Sequence, residues 1–163
     1  MLLRNGQRYL AEEYGLLPFE LSVLQPTRTI CEKIMSLVRF SYTERPLDDL
    51  KKKIRHLYDL HQLMKQAAFC TFLQSVEFER MLLQVAYDDK LSFRNNNMWL
   101  VHHPVDALIF RHLEVVWREL RFVYINDFGP LVFGDLPKEE DVLSTLRIIR
   151  ERLLLLDWAI KIN

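Results

Sequence analysis

The stretch Phe19-Glu20-Leu21-Ser22-Val23-Leu24 alternates apolar and polar side chains with period two, the pattern of a half-buried strand. A lone strand leaves its backbone N–H and C=O groups unpaired, so it has to belong to a sheet. The remainder of the 163-residue chain offers almost no other strand to build one. Apolar residues elsewhere recur at three and four positions. Only four glycines occur, Gly6, Gly15, Gly129 and Gly134, fewer than a β-sandwich or a phosphate-cradling loop uses. The expected fold is therefore mainly α, a helical bundle with one short N-terminal β-strand left over from a sheet encoded elsewhere.

The helical segments can be read in order. A short helix is expected over Gln7–Tyr14, stopped by Gly15. Pro26-Thr27-Arg28-Thr29 opens a second, with Thr29 and Glu32 fitting a capping box and Ile30, Ile34, Leu37 and Val38 forming its inner stripe. After a connector at Ser41–Pro46, Asp48 and Asp49 suit the positive end of a helix whose face carries Leu50, Ile54, Leu57, His61 and Met64. A helix over Ser75–Tyr87 turns Phe78, Met81, Leu82 and Val85 inward, and the polar Asp88–Asn97 reads as a loop. Pro104 begins a long stripe of Val105, Leu108, Ile109, Leu113, Val116, Trp117, Leu120 and Tyr124. Asn126–Gly134 reads as irregular. Pro137 with Glu139, Glu140 and Asp141 opens a last helix that buries Val142, Leu146, Ile149, Leu153 and Leu156.

Composition excludes several functions. The 22 basic and 22 acidic side chains cancel, so no global field draws the domain onto nucleic acid or an anionic membrane. Any such contact needs a local patch, and Lys51-Lys52-Lys53 with Arg39, Arg45 and Arg55 is the candidate. The apolar run Leu153–Leu156 is bounded by Arg152 and Asp157 and is too short to span a bilayer. No long apolar run resembling a signal peptide follows Met1, and a cytoplasmic location is expected. Cys31 and Cys70 form no CxxC pair and are expected to be reduced thiols packed in the core. Among His102, His103, Asp106 and His112, Asp106 alone stands three or four residues from a histidine, too few ligands for a site, so no metal is expected. Trp99, Trp117 and Trp158 are expected in the core.

Two segments stand apart from plain core patterning: Arg28-Thr29-Ile30-Cys31-Glu32-Lys33-Ile34, and Arg55-His56-Leu57-Tyr58-Asp59-Leu60. By spacing alone Lys33 is a lysine beside a buried stripe, its stem packed and its ammonium in water. Asp59 lies four residues after Arg55 and pairs with it on a helix surface.

The run Phe19–Thr29, followed by Glu32-Lys33-Ile34 and then by Arg55–Leu60, resembles the nucleotidyltransferase toxins of the AbiEii/AbiGii type, toxin halves of bacterial abortive-infection toxin–antitoxin pairs. In that family a strand ending in a VL-x-P-x-RT stretch leads into a helix bearing a functional lysine. A later helix carries an R-x-x-x-D-L motif with a functional aspartate. Each motif is short, and their order, spacing and strand–helix context supply the specificity. The likeness is good from Phe19 to Met64 and looser through the regions of Trp99, Trp117 and Pro137.

The resemblance implies that Lys33 and Asp59 are the catalytic pair, with Lys33 on the nucleotide phosphates and Arg55 and His56 as flanking nucleotide-binding residues. His56 stands where many members carry aspartate, a departure confined to that position. It also implies nucleotide transfer from a nucleoside triphosphate to an RNA acceptor, such as a transfer RNA end, or to a protein acceptor, and a cognate antitoxin as partner. A fixed ammonium near a phosphate offsets charge that builds in the transition state.

The family's first half holds a Gly-Ser turn and a strand with paired aspartates that bind magnesium. No Gly-Ser dipeptide occurs here, and Asp48-Asp49 and Asp88-Asp89 lie outside any expected strand. The implied organisation is one domain over 1–163, with 1–26 the end of a nucleotidyltransferase core and 27–163 a helical C-terminal region. Magnesium is expected only with the missing N-terminal half, none being held by this chain alone, and the chain by itself is expected to be inactive. An unpaired edge at Phe19–Leu24 leaves homodimerisation open. The alternatives are a non-catalytic helical protein-interaction module and a stand-alone enzyme of another type.

Overall fold

A computed structural model describes residue 14 and residues 25–162. The expected strand over Phe19–Leu24 and the helix expected from Gln7 lie outside them. Among the described residues there are eight α-helices joined by short 3-10 turns and one π-helical segment, and no strand.

Helix α1 (Pro26–Phe40) is the centre of the packing. Pro26 occupies its first position, where a missing N–H costs nothing. The expected capping box does not form, because the helix starts three residues before Thr29. Instead the Thr29 hydroxyl donates back to the Gln25 carbonyl at 3.4 Å. The inner stripe is as expected, and wider: Ile30, Cys31, Ile34, Met35, Leu37 and Val38 are all buried.

The single helix expected from Asp48 to Met64 is two. Helix α2 (Pro46–Lys51) and helix α3 (Ile54–Met64) are separated by a turn at Lys52–Lys53. The break gives the halves different neighbours: α2 packs on α1 and on α7 (Leu113–Phe122), whereas α3 packs on α1 and on α8 (Glu139–Leu154). Leu50, Ile54, Leu57 and His61 are still buried, and Met64 is half-buried. Helix α4 (Ala67–Leu73), not expected from spacing, follows and exposes Cys70, correcting its expected place in the core.

Helix α5 (Val76–Ser92) starts at Ser75, whose hydroxyl accepts from the Phe78 N–H. It runs five residues past its expected end. Asp88 and Asp89 are therefore helical, not part of the expected loop, and Asp88 is tied across to α1 by Arg28 at 2.8 Å. The stripe behind Pro104 is divided among a 3-10 turn, helix α6 (Leu108–Arg111) and α7. Its Ile109, Leu113, Val116, Trp117, Leu120 and Tyr124 are buried. Beyond α7 the segment expected to be irregular opens as a π-helical turn, Val123–Phe128. This widened turn is pinned by Tyr124, whose hydroxyl donates to the Pro137 carbonyl at 2.8 Å. Gly134 has φ +88, a backbone state that suits glycine in the loop leading to α8.

One buried cation locks the far side of the bundle. Arg152 on α8 is 6% exposed, donating to the carbonyls of Leu73 (2.9 Å) and Ser75 (3.2 Å) and to Glu79 (2.6 Å). It thereby satisfies carbonyls at the junction of α4 and α5, which have no helical partner there. Arg152→Met keeps the stem's volume but strands those carbonyls and leaves Glu79 unpaired. It is expected to cost about 2–4 kcal/mol, read as a lowered urea midpoint with an unchanged m-value.

Candidate functional site

Helices α1 and α3 cross with Lys33 and Asp59 facing each other. The Lys33 Nζ lies 2.7 Å from Asp59 Oδ2, and the two side chains are 17% and 22% exposed. Sequence distance separates them by 26 residues, so only the packing of the two apolar stripes brings them together. Lys33 sits at the edge of the α1 stripe, next to Ile34, and its ammonium reaches the neighbouring helix rather than open water. Arg55, one turn before Asp59 on α3, adds a second cation at 3.6 Å from the same carboxylate oxygen. The Arg55 side chain is 77% exposed.

His56 completes the cluster. Its ring is half-buried and Nδ1 has no hydrogen-bond partner. Burial, followed by the nearby charges of Lys33 and Lys53, pushes its pKa from 6.5 down to about 4. The imidazole is neutral at physiological pH and adds no charge beside Lys33. All four residues singled out from the sequence, Lys33, Arg55, His56 and Asp59, thus belong to one neighbourhood of α1 and α3.

The wider basic zone is not brought together in the same way. Lys51 and Lys52 turn back onto Asp48 (4.0 Å) and Asp49 (2.8 Å). The Lys53 ammonium rests over the Phe40 ring at 4.5 Å. Arg39 lies on the α5 side, its guanidinium 3.9 Å from the Phe93 ring centroid. There it borders a second charged cluster with Arg28, Glu32, Asp88 and Asp89. Arg28 binds Glu32 and Asp88, each at 2.8 Å, and burial raises the Asp89 pKa. His102 stacks on Tyr42, and the His103 ring contacts the Val105 N–H and the Leu156 carbonyl. Trp99 and Trp117 are buried, and the half-buried Trp158 donates to the Leu100 carbonyl.

An aromatic floor, not among the residues singled out from the sequence, lies beside this cluster. Tyr58 on α3 meets Phe128 edge-on at 5.2 Å, because the π-helical turn carries Phe128 toward α3. Tyr58 lies four residues after Ile54 and Phe128 four after Tyr124, so both continue an apolar spacing that the stripes expected from the sequence left out.

Magnesium, implied by the family resemblance, does not fit the described residues. Among them no group of three or more His, Cys, Asp or Glu side chains converges as ligands. Asp59 is already matched by two cations, where a hard divalent ion needs several free oxygen donors.

A model of the family described as nucleotidyl transferase AbiEii toxin, Type IV TA system, matches residues 4–153. No curated protein and no solved structure matches the chain.

The neutral His56 has a consequence for stability. Its folded pKa, about 4, lies below its unfolded value of 6.5, so the unfolded chain takes up the proton first. Its contribution is complete above about pH 6.5 and is lost as pH falls toward 4. The expected loss is about 2 kcal/mol, after discounting for the ring's partial exposure. His61 shifts in the same direction through burial, so the His56 share is read as the difference from His56→Leu in denaturant midpoints between pH 7 and 4.5. Parallel curves for the two proteins would remove His56 as a buried neutral group.

Proposed function

The chain belongs to the AbiEii nucleotidyl transferase toxin family of Type IV toxin–antitoxin systems, and from that premise we propose that Lys33 and Asp59 serve nucleotide transfer from a nucleoside triphosphate to an RNA or protein acceptor. The observation that supports this reading most is the 2.7 Å contact between them across two helices. A surface lysine on four rotatable bonds is a poor phosphate contact unless something fixes it. Asp59 does so here, holding the ammonium at a defined place while leaving two of its three protons to donate elsewhere.

In nucleotide transfer an acceptor oxygen attacks the α-phosphorus and pyrophosphate departs, with negative charge gathering on the phosphate oxygens. Lys33 offsets that charge from a fixed position. Arg55, exposed and only loosely held by Asp59, swings onto the phosphates as a second cation. His56, being neutral, leaves the local field to these two. The magnesium carboxylates come from another polypeptide segment carrying the Gly-Ser turn and paired aspartates, and the chain alone is inactive. It works in the cytoplasm, where nucleoside triphosphates are, and a cognate antitoxin opposes it. No described helix is long and apolar enough to cross a membrane.

The test begins with folding. The Lys33–Asp59 pair is partly exposed and backed by Arg55, so Lys33→Ala is expected to cost only about 1 kcal/mol of stability. With the complementary segment supplied, Lys33→Ala and Asp59→Ala are each expected to slow transfer of a radiolabelled nucleotide by about 3 kcal/mol, roughly a hundredfold. Rates unchanged in both variants would defeat the assignment.

A further inference from the structure

A groove of ≈ 380 Å³ opens beside the ion-pair cluster, between α3 and the loop that follows the π-helical turn. Its floor is the Tyr58–Phe128 pair, its lips are Leu131 and Phe133, and its rim carries Lys52 and Arg55. Leu131 and Phe133 are the two most exposed large apolar side chains among the described residues, at 79% and 105%. Water solvates such surfaces poorly, and here both stand at the same opening. The volume falls within the range of small-molecule pockets, about 300–1,000 Å³.

Arg55 joins this groove to the site already described. On α3, Tyr58, Arg55 and Asp59 follow one another around the helix at roughly 40–60° intervals. Arg55 therefore stands between the aromatic floor on one side and the Lys33–Asp59 contact on the other. A ligand with its anionic end on Lys33 and Arg55 has its remainder beside Tyr58. Flat rings, apolar edges and a cationic rim together suit a planar heteroaromatic group attached to phosphates.

We propose that the groove formed by Tyr58, Phe128, Leu131 and Phe133 is a base subsite, seating the nucleobase of the triphosphate whose phosphates lie on Lys33 and Arg55. This rests on the reading of Lys33 as a phosphate contact. The base stacks against Phe133 over the Tyr58–Phe128 floor. Arg55, bordering both parts, sets the register between base and phosphates.

Calorimetric titration of this chain with each of the four common ribonucleoside triphosphates and with inorganic tripolyphosphate tests the subsite. At least one nucleotide is expected to bind about fivefold or more tighter than tripolyphosphate. Phe133→Ser, at a fully exposed position with no packing to lose, is expected to abolish that difference and leave tripolyphosphate affinity unchanged. Tyr58→Ala is expected to do likewise, with Tyr58→Phe restoring the difference. Lys33→Ala should weaken both kinds of ligand. Equal wild-type affinity for nucleotides and tripolyphosphate overturns the base subsite alone, as does a nucleotide preference that survives Phe133→Ser. Wild-type protein that binds neither overturns the phosphate site and the subsite with it.

Discussion

The width of the buried face on α1 governs the rest of the molecule. Ile30, Cys31, Ile34, Met35, Leu37 and Val38 cover an arc of about 160° at 100° per residue, more than half again the minimal stripe of a surface helix. A helix buried over so wide an arc must be flanked on both sides, and α3 and α5 are the flanks. The polar residues at the margins of the arc then lie in the seams between helices, where each charge is partly desolvated and needs a partner. Arg28 finds Glu32 and Asp88 in one seam, and Lys33 finds Asp59 in the other.

These two seams differ in what they leave available. In the α5 seam, Arg28 is shared by two carboxylates and Arg39 sits over the Phe93 ring, so the cations are committed to the fold. In the α3 seam two cations share one carboxylate, and Arg55 projects largely into solvent. A surplus of positive charge is what an incoming phosphate requires. Surface ion pairs contribute roughly 0–1 kcal/mol to stability, so the geometry of this pair has more to do with placement than with holding the domain together. Stability lies elsewhere, in the continuous apolar core and in Arg152, which satisfies carbonyls at the α4–α5 junction.

Family membership and site geometry bear on different questions. The match over residues 4–153 shows the kind of protein this is. The geometry bears on the role proposed for this chain's own residues: a lysine held by a carboxylate, a solvent-exposed arginine beside it, a neutral histidine, and an aromatic groove alongside. The π-helical turn connects these parts. By widening one turn of the α7 extension it brings Phe128 onto Tyr58 and releases Leu131 and Phe133 to the surface next to Arg55.

The sequence by itself determined the helical class, the inner stripes of α1, α5 and α7 and that of α8 as far as Leu153, Leu156 lying half-buried beyond the helix end, and it set Lys33, Arg55, His56 and Asp59 apart from plain core patterning. These are local properties: periodicity reports which face of a helix is apolar, and short motifs report residue type at fixed spacing. The tertiary structure decided what depends on neighbours distant in sequence. The break at Lys52–Lys53 follows from α2 and α3 having different partners, and the continuation of α5 through Asp88 accompanies its tie to Arg28 on α1. Cys70 proved exposed because α4 presents that face to solvent. The contact of Lys33 with Asp59, and the meeting of Tyr58 with Phe128, each join segments that periodicity treats separately. Side-chain pairing across helices is set by crossing geometry and by the burial of both stripes at once, and neither is written in the spacing of either segment alone.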